Sequence, residues 1–178
     1  DEVVKGAVAA VKEYGVDIVL TGDTKKLDEC FTKLGLSKDH ITFEQADGVI
    51  EIEDNPKMIL KEKKNCSMGV ALQMVADGRA DAMISAGSTA ALVMGGTLIV
   101  KRIKGVKRPS LTPIMPGLKN MYILLDGGAN VDCRPDMLRQ FAVMGSVYMN
   151  KIMGVDNPKV GLLNVGAEEE KGRELEQE

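Results

Sequence analysis

Apolar positions along the chain change their period at clear punctuation marks. Val3, Val4, Ala7, Val8 and Val11 recur at helical spacing through residues 1–14, and Gly15 ends the pattern. Residues 16–21 (VDIVLT) follow as a short, nearly continuous apolar run, as expected of a strand buried on both faces. Gly22, Asp23 and Thr24 turn the chain into a second helix over 25–34, closed by Gly35, and residues 41–45 predict another strand. Asn55-Pro56 opens a helix with proline at its first position, and residues 57–64 form its charged face. Residues 66–76 predict a further helix, stopped by Asp77-Gly78.

The second half repeats the alternation. Residues 81–85 (DAMIS) predict a strand that runs into Ala86, Gly87, Ser88 and Thr89 and then an apolar helix over 90–100. A basic run, 101–108, leads to an extended segment at 109–115 bounded by prolines. Residues 120–126 (NMYILLD) predict a buried strand with a Gly/Asn/Asp loop, 127–132, at its end. Pro135 starts a long helix over 136–153, with Met137, Leu138, Phe141, Met144, Val147 and Tyr148 on its apolar side. Residues 160–165 (VGLLNV) predict a last strand, followed by Gly166-Ala167, the acidic run 168–170, and Lys171-Gly172-Arg173 at another helix start. There is no fixed-period repeat and no low-complexity linker.

Strands alternating with helices, and strands that read apolar throughout, predict an α/β fold. Its sheet is mostly parallel, with helices on both faces. Ligands of such folds bind beyond the carboxyl ends of the strands. Loops 21–23, 85–89, 126–132 and 164–171 all follow predicted strands, so they are expected on one edge of the sheet. Residues 1–178 read as a single α/β domain. The chain begins on a helix with no strand before it and stops in a charged helical segment, so a fragment of a larger unit is expected.

Composition narrows the function. The 178 residues suffice for a real core, and 44% hydrophobic with 28% charged residues is a globular balance. A net charge of −3 argues against a broad nucleic-acid surface, and 3% aromatics without Trp removes the stacking platforms of single-strand binders. The three cysteines, Cys30, Cys66 and Cys133, lack metal-type spacing and fit reduced thiols. No leader peptide is expected, since a helical pattern begins at once, and the run 90–100 is too short for a membrane span. The expectation is a cytoplasmic protein.

The chemistry rests on loops rather than on a nucleophile. A strand ending at Gly87, Ser88 and Thr89 before a helix aims unpaired N–H groups at one point, which suits a phosphate or carboxylate. Ser88 equally suits an ordinary helix cap. The single histidine, His40, has no orienting partner in the sequence and reads as a surface or structural residue. Cys66 lies near a helix start, where a thiol can be acidified, although Ser67 could cap that helix and leave Cys66 a buried structural thiol. Neither GxGxxG nor GxxxxGK[ST] occurs. What remains can hold an anion and a carbonyl oxygen while phosphate itself attacks. Lys171, just past the last predicted strand, reads either as a cation at that edge or as a surface lysine neutralising its acidic neighbours. The basic run reads either as a solvated connection or as a contact for an acidic partner.

Taken together, SMGVALQMVADGRADAMISAGSTAALVMGG, KRIKGVKRPSLTPIMPG, LLDGGANVDCRPDMLRQFAVMGSVYM and VGLLNVGAEEEKGREL resemble the PlsX family, in order and over nearly the whole chain. The resemblance implies a three-layer α/β/α sandwich, Rossmann-like and similar to isocitrate and isopropylmalate dehydrogenases. It also implies a bacterial phosphate acyltransferase that converts acyl-acyl-carrier-protein and inorganic phosphate to acyl phosphate and free carrier protein. The partners implied are acyl carrier protein, inorganic phosphate, a second copy in a homodimer, and a downstream membrane glycerol-3-phosphate acyltransferase; no cofactor or metal is called for. Lys171 matches the family's catalytic lysine. Asp126, Gly128, Asn130 and Asp132 fall on its LLDxGANVD loop, Asn164 and Gly166 on its LLNxG loop, and Ser85, Gly87, Ser88 and Thr89 on its SAGNTGA loop, all as substrate-binding positions. The chain departs from the family pattern at Ser88 and Ala90 (usually Asn and Gly), Gly127 (usually Val) and Arg173 (usually Asn). An alanine at position 90 restricts any φ > 0 conformation there. The family's first strand and roughly its C-terminal half, with a membrane-associating region, have no counterpart in these residues. Two alternatives are a dehydrogenase of the related fold and a non-catalytic module that binds acyl carrier protein through the run from Lys101 to Arg108.

Overall fold

A computed structural model describes all residues except 167, 169, 170, 173 and 178. It divides into two compact units, Asp1–Lys101 and Arg102–Glu178.

In the first unit, α1 (Glu2–Tyr14) and α2 (Thr24–Leu34) share one core with a parallel pair of strands, β1 (Ile18–Gly22) and β2 (Ile41–Gln45). The pair is in register from Ile18 opposite Ile41 to Gly22 opposite Gln45. Gly15 takes φ 63° and returns its N–H to the Val11 carbonyl, which ends α1 in the left-handed turn that glycine adopts without strain. Asp23 starts α2 by accepting the N–H groups of Lys25 and Lys26. Val4, Ala7, Val8, Phe31 and Ile41 close into one core, with Phe31 against Phe43 at 5.4 Å between ring centroids. Burying a side chain such as Phe31 contributes about 2–3 kcal/mol.

A second core lies around α3 (Ser67–Ala76) and α4 (Thr89–Gly95), with a 3-10 turn at Pro56–Leu60 and a π-helical turn at Gly96–Val100. Ile50, Ile59, Cys66, Met68, Leu72 and Ala91 fill it. A Cβ at Gly95 would collide with Leu72, so glycine lets α4 approach α3. The helix expected over 57–64 is thus a single 3-10 turn, and that expected over 90–100 breaks into α and π pieces.

In the second unit, β3 (Ile114–Pro116) and β4 (Met121–Ile123) form an antiparallel pair, with Met115 opposite Tyr122. The pairing continues irregularly beyond the ladder, from Leu124 N–H to the Pro113 carbonyl and from Gly127 N–H to the Leu111 carbonyl. Pro135 occupies the first turn of α5 (Pro135–Lys151), which buries Met137, Phe141 and Gly145. A Cβ at Gly145 would come within 2.9 Å of Leu125, so the helix sits close on that segment. A short helix, α6, spans Glu174–Gln177.

The α/β character and a parallel sheet are therefore present, and several strand expectations are corrected. Residues 81–85 and 160–165 are not strands, and of 120–126 only 121–123 is one. Met83 packs on the second core while Ile84 is fully exposed, so the in–out alternation exists without a ladder to join. A strand needs a partner for its main-chain groups as well as an apolar pattern. Among the described residues the only parallel pair is β1–β2, and the second pair is antiparallel. Val19, expected to be buried, is 37% exposed, because a two-stranded sheet leaves part of its surface open. Of the candidate loops only 21–23 lies at the end of a parallel strand, so the expectation that all four are ends of parallel strands is corrected.

Candidate active site

The best-built loop is 126–132. Asp126 Oδ1 accepts the Leu111 N–H at 2.7 Å and the Ser110 hydroxyl at 3.4 Å. Its Oδ2 accepts the main-chain N–H of Asn130 at 2.6 Å and the side-chain amide at 3.0 Å. The same Asn130 Nδ2 donates to the Pro109 carbonyl at 2.9 Å. Partial burial opposes the charge on Asp126, but the hydrogen bonds from Leu111, Asn130 and Ala129 prevail and hold its carboxyl below the usual range. A carboxylate so committed organises the loop and is a poor proton acceptor. Gly128 has φ 121°, a conformation side chains resist, so glycine is needed there. Asp132 is exposed at the loop's end. Burial, and then the charges of Asp126 and Asp132, push the Cys133 thiol up, which makes it a weak nucleophile.

The second loop is 164–171. Asn164 Nδ2 donates to the Lys171 carbonyl at 3.1 Å, and its Oδ1 accepts the Val165 N–H at 2.7 Å. Lys171 N–H donates to the Glu168 carbonyl at 3.0 Å. A Cβ on Gly166 would run into Glu168 and come within 3.0 Å of Lys171 Cγ, so glycine permits the chain to fold back. Asn164 thereby fixes the main chain that carries the exposed Lys171. Of the residues expected beside it, Ala167, Glu169, Glu170 and Arg173 lie outside the described residues.

The loop 85–89 belongs to the first unit. Ser88 is 5% exposed, and its hydroxyl oxygen accepts the Ala91 N–H at 3.4 Å, so it caps α4. Its O–H remains a donor. Ser85 Oγ accepts the Gly87 N–H at 3.1 Å, and a Cβ at Gly87 would meet Met68 Cε at 3.1 Å. Thr89 is exposed at the first turn. Ala90 lies inside α4, where φ is negative, so its methyl imposes no strain.

The remaining candidates separate cleanly. His40 is exposed and pairs with Asp17 at 2.7 Å, a surface contact at a position with φ 58°. Cys66, rather than Ser67, caps α3: its buried sulfur accepts the Gly69 N–H at 3.4 Å. Cys30, Cys66 and Cys133 are free thiols. Sequence reasoning missed Gln140, which accepts the Lys107 N–H at 2.9 Å and donates to the Gly105 carbonyl at 3.0 Å. A lone Gln in an amphipathic helix carries no signal of such a bridge. Lys107 also pairs with Asp136, whose carboxyl is held below its usual range chiefly by that hydrogen bond.

Among the described residues no group of three or more His, Cys, Asp or Glu side chains could hold a metal ion. No helix described is long and apolar enough to cross a membrane.

Residues 1–178 match the family described as fatty acid synthesis protein. The chain is 49% identical over 177 residues to a protein of Clostridium novyi (strain NT) named phosphate acyltransferase, covering 99% of this chain and 53% of that protein. A phosphate acyltransferase of Clostridium acetobutylicum is 46% identical over 176 residues, 98% of this chain and 53% of that protein. One of Clostridioides difficile (strain 630) is 46% identical over 173 residues, 97% and 51%. The chain spans about half the length of the curated relatives it matches.

Proposed function

The chain belongs to the fatty acid synthesis protein family, the PlsX family its sequence resembles, and on that premise we propose that it forms part of a phosphate acyltransferase. The observation that carries this reading is the match over all 178 residues to that family and to relatives named for the activity. The substrates are an acyl thioester of acyl carrier protein and inorganic phosphate. A phosphate oxygen attacks the thioester carbonyl carbon, the C–O bond forms, and the C–S bond breaks. The electron pair leaves on sulfur, which takes up a proton as the free thiol.

Lys171 supplies positive charge to the phosphate and to the carbonyl oxygen as it becomes an oxyanion. Asn164 and Gly166 support that role by shaping the turn that carries Lys171. Ser85, Ser88 and Thr89 contribute donors to an anion, with the free O–H of Ser88 as the most constrained of them, and Gly87, whose own N–H is held by Ser85 Oγ, shapes the loop that presents them. Asp126, Gly128, Asn130 and Asp132 shape a substrate-binding loop, in which Asp126 and Asn130 act on each other rather than on the thioester.

The three-layer, dehydrogenase-like sandwich, of which this chain is one part, belongs to the same reading. So do a homodimer, a cytoplasmic location with peripheral attachment to the membrane through residues outside this chain, and delivery of the acyl phosphate to a membrane glycerol-3-phosphate acyltransferase. The test is phosphate-dependent release of carrier thiol from an acyl-carrier thioester. Release that needs phosphate supports the reading. A nicotinamide-dependent absorbance change with a hydroxy acid, and no thiol release, replaces it with the dehydrogenase.

A further inference from the structure

Helix α5 carries an exposed stripe that its own core leaves unused. Arg139, Val143 and Val147 repeat every fourth position, and the two valines are 65% and 56% exposed. Beside them, the basic segment 102–108 is a built wall. Gln140 bridges it through the Lys107 N–H and the Gly105 carbonyl, Lys107 pairs with Asp136, and Arg102 donates to the Lys107 carbonyl. An open cleft of about 450 Å³ lies between wall and helix, lined by Gly105, Val106, Arg139, Gln140, Val143 and Met144 with Asp136 at one end.

The lining is mostly apolar. Its surroundings are cationic: Arg102, Lys104, Arg108 and Arg139 are all exposed. The one carboxylate, Asp136, is neutralised by Lys107 and by Arg134 at 3.5 Å. An apolar floor inside a positive rim fits an amphipathic helix that seats apolar side chains in the groove and meets the rim with Asp and Glu. Nucleic acid fits poorly, with 3% aromatics and a net charge of −3 in the chain. We propose that the cleft between residues 102–108 and α5 docks an acidic amphipathic helix of the carrier protein that delivers the acyl group. The identity of that carrier rests on the proposed function; the chemistry of the cleft does not.

Titration of the protein into fluorescently labelled acyl carrier protein, read by anisotropy, tests the site without requiring turnover. Arg139→Glu and Val143→Glu, both on exposed positions, each weaken association about tenfold, whereas Arg139→Lys keeps it. Raising the salt concentration weakens wild-type association. Lys12→Glu, on the exposed side of α1, leaves it unchanged. Wild-type affinity in both Arg139→Glu and Val143→Glu overturns the proposal. Phosphate-dependent thiol release is read separately: cleft-dependent association without release upholds the docking site and contradicts the acyl-transfer reading. Release at subsaturating carrier that neither substitution slows contradicts the docking site.

Discussion

The carboxylate of Asp126 accepts both donors of Asn130, the main-chain N–H at 2.6 Å and the side-chain amide at 3.0 Å. Since the other oxygen takes the Leu111 N–H, one side chain ties together both strands of the irregular hairpin and the loop that follows. Asp126→Ala leaves those donors without their acceptor and costs about 1–2 kcal/mol, read as a lower urea midpoint. An unchanged midpoint would show that water replaces the carboxylate at no cost.

The same pair sets a pH dependence. Asp126 titrates below its unfolded value, so its contribution is fully present above the unfolded pKa and is lost as pH falls through the folded one. Asp136, held low chiefly by Lys107, acts in the same direction. Unfolding free energy therefore drops as pH falls below about 5, where these carboxylates begin to take up protons, and Asp126→Asn flattens part of that drop. Equal slopes for wild type and variant would show that Asp126 does not contribute to the pH dependence.

Gly127 departs from the family's usual valine, and the structure gives a reason. A Cβ there would sit 2.7 Å from Pro113 Cδ and 3.3 Å from the Leu111 carbonyl oxygen. Gly127→Val is expected to destabilise by about 1–3 kcal/mol through that overlap. A stable variant would mean that the Pro113 segment shifts freely.

Much of this architecture is legible in the sequence where contacts are local. Gly15 and Gly35 end α1 and α2, the turn at Gly22, Asp23 and Thr24 leads into α2, and Pro135 opens α5 as the pattern predicts. Strand assignments at 81–85 and 160–165 fail because pairing depends on distant backbone, which an apolar run cannot specify. Val160, Leu162, Leu163 and Val165 are all more than half exposed, so their pattern has no ladder among the described residues. At the site, the sequence marks the Gly/Asn/Asp loops but not their wiring. That Asp126 serves Asn130, or that Asn164 holds the Lys171 carbonyl, is set by how each loop folds back on itself, which residue types alone do not specify.

Ser88 separates cap from ligand. Ser88→Ala removes the acceptor for Ala91 N–H and costs about 1 kcal/mol of stability. On the proposed function it also removes an O–H offered to the anion, and the KM for phosphate is expected to rise. Ser88→Asn keeps an acceptor for the cap and an amide donor, and is expected to preserve both properties. A phosphate KM unaffected by Ser88→Ala would leave Ser88 as a cap alone.

In the proposed function Lys171, positioned by Asn164, carries charge stabilisation for acyl transfer to phosphate. Its side chain is exposed, so Lys171→Ala leaves the urea midpoint unchanged. The decisive measurement is phosphate-dependent release of carrier thiol by this variant in the full-length protein that carries these residues. The expected loss is about 10²–10³ in kcat. Turnover within about twofold of wild type, less than half a kcal/mol in the barrier, would contradict it.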